Sequence, residues 1–363
     1  MVTPDRRTPA PQRPPGWDDG WDRAWSCVLD DGHVPPSTVP ARVVRIDKGG
    51  ITASEQPGEE MLVVAAKSAR RVVVGDVVAL DPDAGRIEAI LPRRTVFERR
   101  SPGVGRSQVA VESRAVAANM DHVLVLQPLD PGLNPPRLAR ELVLAWESGA
   151  TPIVVLTKAD LVDEAGATRQ LDEARRWAPG VEVLVVSTRH PESLASLSNV
   201  TGAGHVLALL GASGAGKSSL ANALAGHPVQ LTAEVREGDR RGRHTTTAGQ
   251  IVPLSAGALL IDTPGIRGVG LWAADDGLEL AFADLAPFAE RCRFADCRHD
   301  AEPGCGITAA VEHGDVGTDR LEVWHQLVAE LETLEADLEV REREAERQAN
   351  QTSRHRARHR DVG

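Results

Sequence analysis

The first regular pattern in the chain is a series of short β-patterned runs bounded by turn residues. Between Ala41 and Leu91 there are five, ARVVRI, GITAS, EMLVVAA, DVVALD and RIEAIL, separated by turn residues such as Lys48-Gly49-Gly50 and Asp81-Pro82-Asp83. Short runs rich in strand-forming residues between turn signals read as strands. Five such strands in succession predict a small β-barrel. An OB-fold is the first choice, and an SH3-like barrel competes on the same pattern.

Beyond the Arg-rich joint PRRTVFERRSPGVGR the pattern changes. HVLVLQ, PIVVLT, EVLVVS, HVLALL and ALLID are nearly continuous apolar runs, with helical stretches such as PRLARELVLAWES and KSSLANALAG between some of them. Strands buried on both faces and alternating with helices predict an α/β domain, a parallel sheet covered by helices. A Cys-containing segment follows from about residue 280, then the charged helical run LEVWHQLVAELETLEADLEVREREAERQ and the basic end RHRARHR. The chain therefore divides into a Pro-rich arm (1–37), a barrel (38–105), an α/β domain (106–280), a Cys-containing domain (281–335) and a charged helix with a basic tail (336–363). The arm is expected to be disordered or loosely docked, touching the body through Trp17, Trp21 and Trp25. No internal repeat is found.

Composition narrows the class. The arm lacks the apolar core of a signal peptide, and no apolar run approaches the roughly 20 residues of a membrane helix. A cytoplasmic protein with no membrane partner is expected. The net charge of −11 argues mildly against a nucleic-acid partner, since phosphate binding needs positive surface. Charge is uneven, however: Arg93, Arg94, Arg99, Arg100 and Arg106 crowd the joint, and Arg354, Arg356, Arg358 and Arg360 crowd the C-terminus. Such clusters either stay solvated or contact nucleic-acid phosphates beside an OB face.

The candidate chemistry begins at Gly211-Ala212-Ser213-Gly214-Ala215-Gly216-Lys217-Ser218, between the strand HVLALL and the helix KSSLANALAG. In that context backbone N–H groups and a helix N-terminus cradle phosphates, Lys217 reaches the β/γ-phosphates and Ser218 ligates Mg²⁺. Asp262-Thr263-Pro264-Gly265 ends the strand ALLID, where Asp262 suits the Mg²⁺ shell and the Gly265 N–H a γ-phosphate. Thr157-Lys158-x-Asp160 ends PIVVLT and looks like the guanine-reading loop of a GTPase. A carboxylate there accepts from guanine N1–H and the exocyclic amine, and Lys158 lays its stem along the purine. Ser187 and Thr188, ending the next strand, offer backbone N–H to guanine O6. In an ordinary GTPase the base loop follows the phosphate loop. Here TKAD, VST, GASGAGKS, HTTT and DTPG stand in circularly permuted order, which is possible because all these loops leave the same ends of parallel strands.

Of four cysteines, Cys292, Cys297 and Cys305 lie in one short segment with His299. A Cys₃His set is a frequent structural-zinc combination with no open coordination position. The plain alternative is three buried thiols beside a histidine. Cys27 is remote and is expected to be a small packed residue, and His313 sits farther from the cluster.

Taken together, VGDVV, AANMDHVLVL, LTKADL, GASGAGKSSL, GRHTTT, DTPGIR and Cys-x4-Cys-x-His-x5-Cys resemble the RsgA (YjeQ) family of circularly permuted GTPases over about residues 38–310. The resemblance implies an OB-fold barrel, a circularly permuted P-loop GTPase domain and a mostly helical zinc-binding C-terminal domain. It implies GTP and GDP as ligands, one structural Zn²⁺, Mg²⁺ with the nucleotide, and action on the small (30S) ribosomal subunit late in its assembly, with contact to its rRNA. It adds Ser219 to the phosphate loop and Thr246 to the Mg²⁺ shell, and marks Thr157 as standing where Asn is commoner. The residue after DTPG is Ile266, which cannot orient water, so His244 of GRHTTT is the candidate to do so, alongside Lys217 and Thr246. Turnover is then expected to be slow alone and raised by the subunit, in a protein that works as a monomer. Two other readings are a P-loop ATPase and a non-catalytic RNA-binding scaffold.

Overall fold

The computed structural model describes residues 13–56, 58–69, 71–101, 112–229, 231, 249–264, 266, 271, 274–300 and 302–360. All five runs are strands: β1 (Val39–Asp47), β2 (Gly50–Gln56), β3 (Glu59–Ala65), β4 (Val77–Asp81) and β5 (Arg86–Ile90). They pair in the order β1-β2-β3-β5-β4, and β4 returns to β1 to close the ring. Only β3–β5 is parallel. This closed five-stranded ring, with its parallel β3–β5 pair, selects the OB-like barrel. Alternate positions turn inward, Ala41 and Val43 on β1 and Val78 and Leu80 on β4.

A two-stranded hairpin, β6 (Val96–Ser101) and β7 (Glu112–Ala118), leads into the α/β domain. Its strands are β8 (His122–Pro128), β9 (Thr151–Thr157), β10 (Glu182–Val185), β11 (Val206–Gly211), β12 (Gly249–Pro253) and β13 (Leu259–Asp262). Their order is β10-β9-β8-β11-β13-β12, all parallel except β12. The short strand β12 (GQIVP) is absent from the sequence reading. The chain runs outward from β8 to β10, then crosses back to place β11 on the other side of β8. Loops leaving the carboxyl ends of β8 and β11 therefore diverge and open a crevice, the usual ligand position in such sheets.

Local chemistry fixes the flanking helices. Asn134 accepts from Arg137 N at the start of Pro135–Glu147, with Pro in the first turn. Asp163 caps Glu164–Trp177, whose last turn carries Arg175 and Arg176 against the helix dipole. Separate apolar clusters form on the two faces of the sheet, one around Leu142, Val154 and Ala208, the other around Leu124, Val155 and Leu207.

The barrel and the sheet are joined edge to edge. β1 pairs with β12, Arg45 opposite Gln250 and Ile46 opposite Gly249. Within VGDVV, a Cβ on Gly75 would stand 2.0 Å from the Ala118 carbonyl oxygen, so only glycine allows this approach. Asp76 accepts from Arg93 Nε (2.7 Å) and a second guanidinium nitrogen (2.9 Å).

Where the sequence suggests a loosely docked arm, Asp19–Asp30 is a helix. Asp18 caps it, and Trp21 is buried among Val77, Ala79 and Leu91. Arg94 makes two bonds to Asp18 (2.6 and 2.8 Å) and lies 3.9 Å over the Trp21 ring. Arg93 and Arg94, read as possible phosphate contacts, hold the joint together. Cys27 is exposed rather than packed. At the other end, Arg320 of the helix Thr318–Arg360 bonds to Asp284 and to the carbonyls of Trp177 and Ala281.

Candidate nucleotide and metal sites

The phosphate loop leaves β11 through three glycines with positive φ, Gly211 (144°), Gly214 (78°) and Gly216 (94°). At Gly211 a Cβ would stand 2.8 Å from the Leu126 carbonyl oxygen, so the loop can turn against β8 only without a side chain. Gly216 opens the helix Lys217–Ala225. Lys217 is 7% exposed, and its Nζ donates to the carbonyls of Gly211 (2.7 Å) and Ala212 (2.6 Å). Its charge is thus held on the loop whose N–H groups would face a phosphate. Ala215 is buried, while Ser213, Ser218 and Ser219 are exposed. Lys217, Asp262 and Thr263 line one small cleft with Leu231 and Ile266, so the two motifs converge. His244, Thr246 and Gly265 lie outside the described residues.

The base end is built from β9 and β10. Thr157 is buried, and its Oγ1 donates to the Ala215 carbonyl at 2.7 Å, tying the base loop to the phosphate loop. Lys158 adopts a left-handed conformation (φ 60°, ψ 37°) at the turn into Asp160. Asp160 accepts from Ser187 Oγ at 2.6 Å, and Arg189 Nε lies 3.5 Å away. The Ser187 hydroxyl first, then a backbone N–H and the Arg189 charge, hold the Asp160 carboxyl below the usual carboxylate range against some desolvation. The Ser187 N–H donates to Ser193 Oγ at 2.9 Å. The sequence reading offered both Ser187 and Thr188 N–H groups to a base, and this bond leaves Thr188 as the available donor.

One group escaped the sequence reading. Glu141 accepts from Gln127 Nε2 at 2.6 Å, beside the crevice where β8 ends. Burial pushes its carboxyl up to about 7, against the opposing charges of Arg137 and Lys217. The available signal was a glutamate inside the apolar pattern of PRLARELVLAWES, with a polar Gln127 ending an apolar strand.

Cys292, Cys297, His299 and Cys305 come together, all four donor atoms within 4.8 Å of one another. His299 Nδ1 lies 3.5 Å from both Cys292 Sγ and Cys305 Sγ, and those sulfurs are 4.0 Å apart. Tetrahedral ligands about 2.0–2.3 Å from one ion would lie about 3.5–3.8 Å from each other. Backbone donors back the sulfurs: Gly306 N to Cys292 Sγ (3.3 Å) and Thr308 N to Cys305 Sγ (3.4 Å). Such donors favour thiolates and orient them. The cluster can hold a metal ion. His313 takes no part, its Nδ1 lying 2.6 Å from the Ala309 carbonyl.

The parallel sheet, the phosphate loop after β11 and the base loop after β9 define a P-loop GTPase domain assembled from a permuted chain. The RsgA GTPase family profile matches residues 90–272. The small ribosomal subunit biogenesis GTPase RsgA of Streptomyces coelicolor is 42% identical over 335 residues, covering 90% of this chain and 88% of its own. The protein of that name from Xanthomonas campestris pv. campestris is 37% identical over 329 residues, covering 88% and 87%. Among solved structures, YjeQ from Thermotoga maritima superposes with a TM-score of 0.60 at 26% identity, over 80% of this chain and 98% of that one. The circularly permuted GTPase YloQ gives 0.59 at 22%, over 83% and 97%, a likeness of fold. The chain belongs to the RsgA GTPase family, and it is a GTPase.

Proposed function

We propose that this chain hydrolyses GTP as an assembly factor of the small ribosomal subunit, acting in the cytoplasm as a monomer. The observation that carries the reading is the cleft shared by Lys217 and Asp262 together with the Thr157–Ala215 bond, which ties the loop carrying Asp160 to the phosphate loop, in a chain 42% identical to a relative named for small-subunit biogenesis. Asp160 reads the guanine N1–H and amine, and the Thr188 N–H meets O6. Lys217 and the loop from Gly211 to Ser219 hold the phosphates, with Gly265 at the γ-phosphate. Ser218, Thr246 and Asp262 complete the Mg²⁺ shell, and His244 orients the attacking water. The Cys₃His cluster holds one structural Zn²⁺.

The barrel and the basic tail contact rRNA. GTP favours the subunit-bound state, and hydrolysis favours release. The β1–β12 ladder supports this coupling, because it places the barrel beside the strand that follows the GRHTTT segment. Linkage makes the effect reciprocal for binding: subunits tighten GTP affinity by the factor that GTP tightens subunit affinity. The test is GTP turnover with and without purified small subunits, together with subunit affinity in GDP and in a non-hydrolysable GTP analogue. Stimulated turnover and tighter binding with the analogue are expected. Equal affinities with no stimulation overturn the proposal. A titration that favours ATP over GTP assigns the site to an ATPase instead.

A further inference from the structure

Of the four residues in the Cys₃His cluster, His299 has the least favourable backbone. Its φ of 61° is left-handed, a conformation that residues other than glycine seldom adopt. Its Nδ1 faces the Cys292 and Cys305 sulfurs, and its Nε2 has no hydrogen-bond partner among the described residues. A metal-bound histidine ordinarily donates its second ring N–H to a carboxylate or carbonyl, and that bond fixes the rotation of the ring. Without such a bond, packing must fix it.

The helix Thr318–Arg360 supplies the packing. The Trp324 ring lies 5.3 Å from the His299 ring, tilted by 53°, and the His325 ring lies 5.1 Å from that of Trp324. Tilted rings at these separations attract each other beyond simple burial. His325 Nε2 also donates to the Arg298 carbonyl at 3.1 Å, and Arg298 pairs with Glu332. From within the cluster segment, Glu302 accepts from Arg298 N at 2.8 Å and Asp300 N at 2.9 Å. The peptide groups on both sides of His299 are therefore tied, one to the helix and one to Glu302. That leaves the ring rotation, and Trp324 is the side chain against it.

The rest of the helix has other duties. Val323, Leu327 and Leu331 form its buried face, while Trp324 is only partly buried beside them. From Glu335 onward every described residue of the helix is exposed. The contacts to the cluster thus fall on the last turns that the body holds.

We propose that Trp324 is a positioning residue of the metal centre, its ring setting the rotation of His299 so that Nδ1 points at the ion. The docked half of the helix Thr318–Arg360 then governs how tightly the metal is held. This rests on the reading of the Cys₃His cluster as a zinc site.

The test is competition for Zn²⁺ between the full chain and a chromophoric chelator. Occupancy by Mg²⁺ and a non-hydrolysable GTP analogue, measured in the same samples, reports folding. Wild-type protein should hold one Zn²⁺ per chain. Trp324→Ala should weaken Zn²⁺ binding about tenfold, the lower end of the roughly 10–100-fold cost of losing a group that orients a metal ligand. Trp324→Phe keeps a ring against His299 and should recover most of that loss. Leu327→Ala, on the buried face of the same helix, should bind Zn²⁺ nearly as wild type does. Unchanged affinity in Trp324→Ala overturns the proposal and leaves the metal site standing. An equal loss in Leu327→Ala also overturns it, since helix packing would then be the cause. A wild-type chain that holds no Zn²⁺ overturns both readings. If Trp324→Ala does not hold the nucleotide analogue, Trp324→Leu, apolar but without a ring, takes its place beside Trp324→Phe, and equal affinity in those two overturns the proposal.

Discussion

The two ends of the central sheet use the same residue types in opposite ways. At the carboxyl end, charged groups rest on temporary partners: Lys217 on two loop carbonyls, Asp160 on the Ser187 hydroxyl and an exposed Arg189. At the amino end, where the barrel and arm join, charged side chains close on each other in two-bond pairs, Asp76 with Arg93 and Asp18 with Arg94. A ligand can replace a carbonyl or hydroxyl partner at small cost, because neither carries a formal charge that must be left buried. It cannot so readily displace a paired carboxylate. One end is therefore built to exchange partners and the other to keep them, and substitutions should separate affinity from stability accordingly.

The largest effect is expected at the permanent end. The Asp76 side chain is fully buried and accepts from Val73 N as well as Arg93. Asp76→Ala leaves the guanidinium without its partner and should lower stability by about 3 kcal/mol, the lower end for a broken buried pair because Arg93 keeps some exposure. Urea unfolding measures this, and GTP affinity of the folded fraction should be unchanged. Lys217→Ala should do the reverse. Losing a charge-assisted contact to phosphate is worth about 2–3 kcal/mol, on the order of 100-fold in GTP affinity, with an unfolding midpoint like that of wild type. If both variants lost stability and affinity together, the contrast between the ends would fail.

Thr157 lies between these extremes, since it is buried at the exchanging end but holds a fixed partner. Thr157→Val keeps the shape and removes the hydroxyl, leaving the Ala215 carbonyl without that donor. A loss of about 1 kcal/mol, or roughly fivefold in GTP affinity, is expected, with recovery in Thr157→Ser. A titration of both variants with labelled GTP checks this. Equal affinity in valine and serine variants would mean that the bond does not position the loops.

What the sequence reveals follows the same division. GASGAGKS, TKAD and the Cys₃His spacing were legible because each packs its chemistry into a few consecutive residues, so local order implies local geometry. The barrel runs were legible because each is a short stretch of strand-forming residues bounded by turn residues. The joint was not. Arg94 meets Asp18 across 76 positions and Arg93 meets Asp76 across 17, so nothing in PRRTVFERR distinguishes structural arginines from phosphate-binding ones. The arm helix carried a usable signal, since Asp18 precedes a run with Trp21, Trp25 and Val28 on one helical face, but its Pro-rich start outweighed it. The Thr157–Ala215 bond lay hidden for the same reason as the pairs, with 58 positions between partners.

The smallest expected effect probes how permanent the permanent end is. The Arg94 hydrogen bonds, opposed by partial burial and assisted by the Arg94 charge and two backbone N–H groups, hold Asp18 below its ordinary carboxylate range. A carboxyl depressed in the folded state contributes stability above its unfolded value, near 3.8, and that contribution is lost as pH falls through the folded value. Both partners remain substantially exposed, so the pair contributes less than about 1 kcal/mol. Its loss should therefore loosen the arm without unfolding the barrel. Protonation removes the charge that caps the helix and the partner that holds Arg94 over Trp21. Tryptophan fluorescence should show a step below pH 4 ahead of global unfolding, and Asp18→Asn should already give the low-pH spectrum at pH 7. An acid transition in which arm and barrel signals coincide in both proteins would show that the arm is part of the barrel's cooperative unit rather than a latch upon it.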